Sequence, residues 1–144
     1  MLKTLSVLGL GVMVLALVGL IFTKSLLSAS PVVIAVQAGA ILLMMWARKT
    51  FGIRSFHASA SPTEGGLVTT GPYAFIRHPI YTAASLFGWA GIVAHWSLLS
   101  ISMGILLLVG AMVRMLCEER LIAERYPEYR HYMARTKRMV PLLF

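Results

Sequence analysis

Long runs of apolar residues without a charged side chain dominate the pattern along this chain. The first extends from Thr4 to Thr23, the second from Ser25 to Ala47, and the third from Pro79 to Val113. A helix needs roughly 17–25 apolar residues to cross the hydrocarbon of a bilayer, so each of the first two runs predicts one span. At ~1.5 Å per residue, the third run is too long for one span and sufficient for two short ones.

The triplet His95-Trp96-Ser97 divides the third run near its middle, and a His-Trp pair suits the membrane–water interface. The pattern therefore predicts four spans: Leu5 to Phe22, Val32 to Trp46, Tyr81 to Ala94, and Leu98 to Val113. A cleaved signal peptide is the alternative for the first segment. It is disfavoured because the run is longer than the usual ~7–15-residue apolar core of such peptides.

Composition agrees with a membrane protein. Hydrophobic residues make up 58% of the 144 positions, charged residues make up 12%, and the mean hydropathy is +0.81. Cys117 is the single cysteine, so an intrachain disulfide and a cysteine-based metal cluster are excluded, and no metal is expected. We expect one all-α membrane domain over residues 1–144: two spans in 1–47, then a loop, a helical hairpin and a cytoplasmic tail with an amphipathic helix in 48–144.

Positive charge lies almost entirely on one side of the predicted spans. Of the 13 Lys and Arg residues, only Lys24 lies on the opposite side. Because basic loops stay in the cytoplasm, both termini and the loop from Arg48 to His78 are predicted to be cytoplasmic, in a prokaryotic cytoplasmic membrane. The net charge of +8 then reflects topology, with anionic membrane lipid as the neighbour, and nucleic acid is not expected as a partner.

The loop before the third span carries candidate chemistry. Gly65-Gly66 permits close backbone approach to a ligand, although a flexible connector is the alternative. Pro79 fits the first turn of a helix, so Arg77 and His78 lie at its N-terminus, where backbone N–H groups and the helix dipole attract anions. Membrane anchoring by Arg77 and interfacial capping by His78 are the corresponding alternatives.

The tail is predicted to be helical and amphipathic up to Arg125, with an interruption at Pro127. Arg114 and Glu118 are four residues apart, and a surface ion pair worth only ~0.3–0.5 kcal/mol is the default interpretation. Glu119 has no basic residue at i±4 and is a second candidate for a role beyond solvation. Interfacial anchoring is favoured for each of the tyrosines that follow, Tyr126, Tyr129 and Tyr132.

Together these segments resemble the isoprenylcysteine carboxyl methyltransferase family and its relatives, the membrane phospholipid methyltransferases. The resemblance covers roughly Glu64 to Pro141. It rests on "GGLVTTGPYAFIRHPIY", on R-x-x-x-E-E-x-x-L from Arg114 to Leu121, and on the tyrosine-rich stretch that closes with "TKRMVP". The tail departs from the family at "ERYPEY", so a one-residue shift would exchange Glu118 for Glu119.

The resemblance implies S-adenosyl-L-methionine as cofactor, held over the last helical hairpin. The implied cofactor contacts are Gly65, Gly66, Leu67, Val68, Tyr73, His78, Pro79, Ile80, Tyr81 and Glu118. Arg114 corresponds to a residue near the substrate, and we assign it the catalytic and substrate-binding role. Its position at the membrane boundary would suit orientation of an anionic acceptor.

Three functions remain open from the sequence. The first is methylation of the carboxylate of a lipophilic or lipidated substrate, as in isoprenylcysteine. The second is methylation of an amine headgroup such as that of phosphatidylethanolamine, which requires deprotonation of the amine. The third is a non-enzymatic membrane scaffold or transporter subunit, which predicts no cofactor binding. The acceptor and the oligomeric state are not specified by the residues.

Overall fold

The fold is all-helical in the part of the chain that the structure, a computed structural model, describes, which is residues 1–52 and 66–141. The helices are α1 (Leu2–Phe22), α2 (Pro31–Phe51), α3 (Pro79–Ala94), α4 (Leu98–Arg125) and α5 (Tyr129–Arg135), with a 3₁₀ turn at Gly71–Ala74. Three of these, α1, α2 and α4, are long and apolar enough to cross a membrane, and α3 is a shorter apolar helix. The predicted all-α membrane class is therefore confirmed.

Most helix ends lie close to the predicted bounds, although α2 continues past the predicted end at Trp46 to Phe51. The predicted break falls between Ala94 and Leu98, where the side chain of Ser97 accepts a hydrogen bond from the backbone N–H of Ser100 and the Ser100 side chain accepts one from the Ser97 backbone N–H. The predicted fourth span and the amphipathic segment are one continuous helix, since α4 extends without a break to Arg125. At about 42 Å for 28 residues, α4 is longer than the hydrocarbon layer, so its C-terminal part projects beyond it.

Small residues let α1 and α4 pack closely along their length. The buried positions on α1 recur at steps of three and four: Ser6, Gly9, Met13, Ala16 and Leu20. The same steps occur among the buried positions of α4: Ser100, Gly104, Leu107, Ala111 and Arg114. This spacing gives each helix one continuous face, as in a coiled coil. The central apolar cluster comprises Met13, Ala16, Leu107, Ala111, Met115 and Met139.

A buried polar side chain on α2, Gln37, links the second helix pair, α2 with α3, to the connection between α1 and α2. The Gln37 side-chain amide donates to the carbonyls of Leu26 (2.7 Å) and Phe87 (3.1 Å), which ties α2 to the α1–α2 connection and to α3. A side chain at Gly91 would lie 2.2 Å from the Leu26 carbonyl oxygen, so only glycine permits this approach. The arrangement brings the N-terminal end of α3 and the C-terminal part of α4 together beneath the tail.

Candidate functional site

The 3₁₀ turn packs closely on α2 because it begins with a glycine, Gly71. Gly71 has φ +58°, and a Cβ there would lie 2.7 Å from Thr50 Oγ1 and 3.2 Å from Trp46 Nε1. A side chain would therefore displace the turn from α2. Tyr73, in the turn, is buried and packs against Phe51 with ring centroids 5.4 Å apart.

The tail runs alongside the chain that leads into α3. Ile76 and Lys137 form a parallel bridge, and the backbone N–H of Arg77 donates to the Lys137 carbonyl at 2.7 Å. The next N–H, of His78, donates to the Arg138 carbonyl at 2.9 Å. The N–H of His78, which precedes the first turn of α3, is thus bound by the chain itself.

A buried cluster of charges, the Glu119 cluster, fixes this arrangement; it consists of Glu119, Arg77, Arg138 and His78. Glu119 Oε1 lies 2.8 Å from Arg77 Nε and 3.3 Å from His78 Nε2, and Glu119 Oε2 lies 3.1 Å from Arg138 Nη2. The Arg77 guanidinium also donates to the carbonyls of Thr136 and Met133. Only 7% of the Arg77 side chain is exposed. Arg77 is therefore an internal crosslink between α4 and the tail, and membrane anchoring does not describe it.

A second cluster, the Glu118 cluster, lies one residue earlier on α4 and consists of Glu118, Tyr81 and Arg114. The Tyr81 hydroxyl donates to Glu118 Oε1 at 2.5 Å, and Arg114 Nε lies 3.2 Å from the same oxygen. Arg114 Nε also donates to the Tyr81 hydroxyl, and its guanidinium carbon lies 5.9 Å from the centre of the Tyr81 ring. The Arg114 side chain is 6% exposed. The default interpretation of this pair as a surface ion pair is therefore wrong.

His78 lies between the two carboxylates. Its Nδ1 is 3.8 Å from Glu118 Oε2, whereas its Nε2 faces Glu119. Its ring centroid is 5.7 Å from that of Tyr81. The two glutamates nevertheless differ in access, since the Glu118 side chain is 20% exposed and the Glu119 side chain 5%. Of the two acidic residues that the sequence left open, Glu118 is the more exposed.

The structure brings His78, Tyr81, Arg114 and Glu118 together, although they come from segments over 30 residues apart. Pro79 is buried, and Ile80 is partly exposed beside Tyr81. Gly66, Leu67 and Val68 are partly exposed and lead into the 3₁₀ turn. Gly65 lies outside the described residues.

The tyrosines of the tail pack inward. Tyr129 is buried, and its ring centroid lies 5.7 Å from that of Tyr132. Burial raises the pKa of Tyr132 to about 12, so its hydroxyl stays protonated and donates to the Tyr73 carbonyl at 2.6 Å. Burial likewise raises the pKa of Tyr73 well above its ordinary value. Tyr132 therefore attaches the tail to the 3₁₀ turn, Tyr129 packs beside Tyr132, and interfacial anchoring does not describe either residue.

Sequence reasoning missed the contribution of α1. The Ser6 carbonyl accepts a hydrogen bond from Arg114 Nη1 at 3.3 Å. A signal was present, because Arg114 continues the buried spacing of Gly104, Leu107 and Ala111 and so belongs to the face that packs on α1. No sequence pattern near Glu119 indicates its pairing with Arg77 and Arg138, because both partners are remote along the chain.

The comparisons with known proteins agree with this architecture. The sequence model of the phospholipid methyltransferase family matches residues 25–129, which include α2, α3, α4 and all of the Glu118 cluster. The chain therefore belongs to the phospholipid methyltransferase family, the family of membrane methyltransferases that includes proteins like isoprenylcysteine carboxyl methyltransferase. The resemblance inferred from the sequence is confirmed at this level.

One curated relative is the cobalt-zinc-cadmium resistance protein CzcN of Cupriavidus metallidurans. It is 35% identical over 81 residues, a stretch that covers 54% of this chain and 36% of the relative's length. No solved structure matches the chain. Within residues 1–52 and 66–141, no group of three or more His, Cys, Asp or Glu side chains could hold a metal ion.

Proposed function

We propose that this protein is a methyltransferase that uses S-adenosylmethionine and methylates the carboxylate of a lipophilic acceptor at the cytoplasmic membrane surface. The observation that carries the proposal is the Glu118 cluster. A cation, a carboxylate and a phenol meet near the N-terminal end of α3. At ~1.5 Å per residue, a hydrocarbon layer of about 30 Å crossed by α4 from Leu98 would end close to Glu118. A water-soluble cofactor and a membrane-embedded acceptor can meet only at such a boundary.

The chemistry of the described residues fits the cofactor. Glu118 is 20% exposed and can accept hydrogen bonds from ribose hydroxyls or pair with an ammonium group. Gly66 has φ +83° with open space where a Cβ would stand, so a ligand can approach its backbone. Tyr81 offers a partly exposed wall beside Glu118, and the buried His78 ring packs against Tyr81. Ile80 is partly exposed, whereas Tyr73 and Pro79 are buried. When bound, S-adenosylmethionine would supply a methyl group activated by a sulfonium.

Arg114 suits an acceptor that is an anion. Its guanidinium carries five N–H donors in a planar fork that matches a carboxylate, and neighbours from three helices already orient it. A carboxylate is a nucleophile at neutral pH without a general base. Orientation by Arg114 and exclusion of water at this buried position would then provide most of the rate.

An apolar groove offers a place for the acceptor's hydrocarbon chain. It has a volume of about 250 Å³ and is lined by apolar residues of α1, α2 and α3: Leu17, Ala40, Ile41, Met44, Met45, Ala83, Ala84 and Phe87. Leu17 and Ala84 of the groove pack on the same central cluster as Tyr81 of the Glu118 cluster. We assign the groove to the chain of the lipophilic acceptor.

The orientation of the protein follows from charge. The distribution of Lys and Arg supports an orientation in which both termini, and with them the Glu118 cluster, face the cytoplasm, where a water-soluble cofactor is present. An impermeant thiol reagent should label Ala29→Cys from outside intact cells and Lys49→Cys only after lysis, because both positions are exposed. Cys117 is buried and should stay unlabelled. Labelling of Lys49→Cys from outside would reverse the orientation.

An amine headgroup is the second candidate acceptor. The family description names phospholipids, and the partly exposed Glu118 carboxylate could attract an ammonium group. The amine would have to lose a proton before attack, and the neighbouring Arg114 cation disfavours a positively charged acceptor. A non-enzymatic scaffold is the remaining alternative, and it predicts no cofactor binding.

Product analysis separates these candidates. Purified protein in lipid nanodiscs is incubated with methyl-labelled S-adenosylmethionine and either S-farnesylcysteine or phosphatidylethanolamine. The proposal expects an alkali-labile methyl ester on the first probe and no N-methyl product on the second. N-methylated lipid alone would select the amine function. Absence of both products, together with no binding of S-adenosylhomocysteine, would favour the scaffold.

A further inference from the structure

Helix α1 contacts the Glu118 cluster although it lies outside the residues that match the family model. The family match begins at residue 25, whereas α1 ends at Phe22. The helix nevertheless packs along α4, the helix that carries Arg114 and Glu118. Its N-terminal end is the part that reaches the Glu118 cluster.

The approach of α1 to α4 is set by two facing glycines. A Cβ at Gly9 would lie 2.9 Å from the Gly110 carbonyl oxygen, and a Cβ at Gly110 would lie 2.7 Å from the Gly9 carbonyl oxygen. Contacts below 3.0 Å require something to move, and here the obstructing atoms belong to the backbone. Any other residue at either position therefore separates the helices.

This crossing determines where the Ser6 carbonyl lies. Ser6 is three residues from Gly9 on α1, and Arg114 is four residues from Gly110 on α4, so both lie about one turn from the crossing on the same side. Their contact, Ser6 carbonyl to Arg114 Nη1, is 3.3 Å and buried. The Arg114 guanidinium is thereby held from α1, from α3 through Tyr81 and from α4 through Glu118.

We propose that α1 is a positioning element of the site: the contact between Gly9 and Gly110 holds the Ser6 carbonyl against Arg114 and so fixes the orientation of the Arg114 guanidinium toward the acceptor. The part of this inference that concerns the acceptor rests on the proposed function. A displacement of about 1 Å at a positioning group can lower turnover by about 100-fold. If α1 contributed only packing, a substitution on α1 would lower methyl transfer to the acceptor no more than it lowers the affinity for the cofactor.

The chain offers a matched control on the same helix. Gly11 is exposed and a Cβ there meets nothing within 4 Å, so Gly11→Val changes helix propensity as Gly9→Val does without touching α4. We expect Gly9→Val to lower kcat/KM for S-farnesylcysteine in nanodiscs by about 10- to 100-fold. Affinity for S-adenosylhomocysteine should change by less than about threefold, and Gly11→Val should behave like the wild type. Equal activity of Gly9→Val and Gly11→Val would overturn the proposal.

A double-mutant cycle tests whether the effect passes through Arg114. In an Arg114→Gln background the positioned group is gone, so Gly9→Val should lower the remaining transfer by less than about threefold. An undiminished 10- to 100-fold loss in that background would show that α1 acts by packing alone. If Gly9→Val fails to fold, Gly9→Ala and Gly11→Ala replace the pair, because even a Cβ at Gly9 meets the Gly110 carbonyl.

An activity-independent measurement separates this inference from the proposed function. The side-chain Nε–H resonance of Arg114, assigned by its loss in Arg114→Gln, is followed by nitrogen-15 NMR in detergent micelles. It should shift in Gly9→Ala and stay in place in Gly11→Ala. A shift without methyl transfer to S-farnesylcysteine or phosphatidylethanolamine by the wild type would retain the positioning role and reject the methyltransferase. An unmoved resonance in Gly9→Ala would reject the positioning role.

Discussion

The Arg77 guanidinium lies 2.8 Å from the Glu119 carboxylate, across 42 residues of sequence. Both side chains are buried, and Arg138 of the tail contacts the same carboxylate. Arg77 and His78, which precede α3, therefore have different roles. Arg77 holds the loop, α4 and the tail together, whereas His78 faces both glutamates.

Neutralising Glu119 should destabilise the protein strongly. Glu119→Gln leaves the buried Arg77 without its carboxylate, and breaking a buried ion pair costs about 3–5 kcal/mol. Thermal unfolding in detergent should therefore shift to a markedly lower temperature. Glu124→Gln is the control because Glu124 is exposed on the same helix. Equal unfolding temperatures for the two variants would contradict the structural role of Glu119.

Gly66 should be required for cofactor binding. It has φ +83°, a conformation that other residues rarely adopt, so Gly66→Val should distort the loop and weaken S-adenosylhomocysteine binding about tenfold or more in calorimetry. Gly52→Val is the matched control, since Gly52 has φ +73°, has open space at its Cβ and lies at the end of α2. Similar losses in both variants would mean that loop strain alone is being measured.

Filling the groove should change the chain length that the enzyme accepts. Ala84→Leu adds bulk to the groove wall, so transfer to S-farnesylcysteine should fall by about tenfold while transfer to a short S-alkylcysteine changes little. Leu86→Phe adds bulk to an exposed position two residues away and serves as the control. If Ala84→Leu affects the long and short acceptors equally, the groove does not hold the chain.

The sequence was informative wherever the signal was local. Apolar run length predicts the helices, and the triplet His95-Trp96-Ser97 predicts the turn between α3 and α4, because hydrocarbon thickness and interfacial preference act on neighbouring residues. The spacing of Arg114 and Glu118 predicts their contact, since residues four apart are adjacent on any helix.

Long-range features were beyond the sequence for a physical reason. The burial of the Arg114 pair depends on α1 packing against α4 from the opposite end of the chain. The partners of Glu119 come from the loop and the tail, and nothing in a single sequence specifies which remote cation reaches a given carboxylate. Membrane anchoring of Arg77 is a reasonable prediction from the sequence because its partner Glu119 is remote along the chain. In the fold Arg77 is buried against Glu119 instead.

In the proposed mechanism, Glu118 serves cofactor binding and Arg114 serves acceptor orientation, and a comparison of three proteins separates these two roles. Wild type, Arg114→Gln and Glu118→Gln are purified in nanodiscs, and turnover with S-farnesylcysteine is measured beside the affinity for S-adenosylhomocysteine. Arg114→Gln should lower turnover by about 100-fold with little change in affinity, because positioning of the acceptor is lost. Glu118→Gln should weaken the affinity first, because the shape is kept and the negative charge removed. Full turnover in Arg114→Gln, or unchanged affinity in Glu118→Gln, would contradict this division of roles between the two side chains.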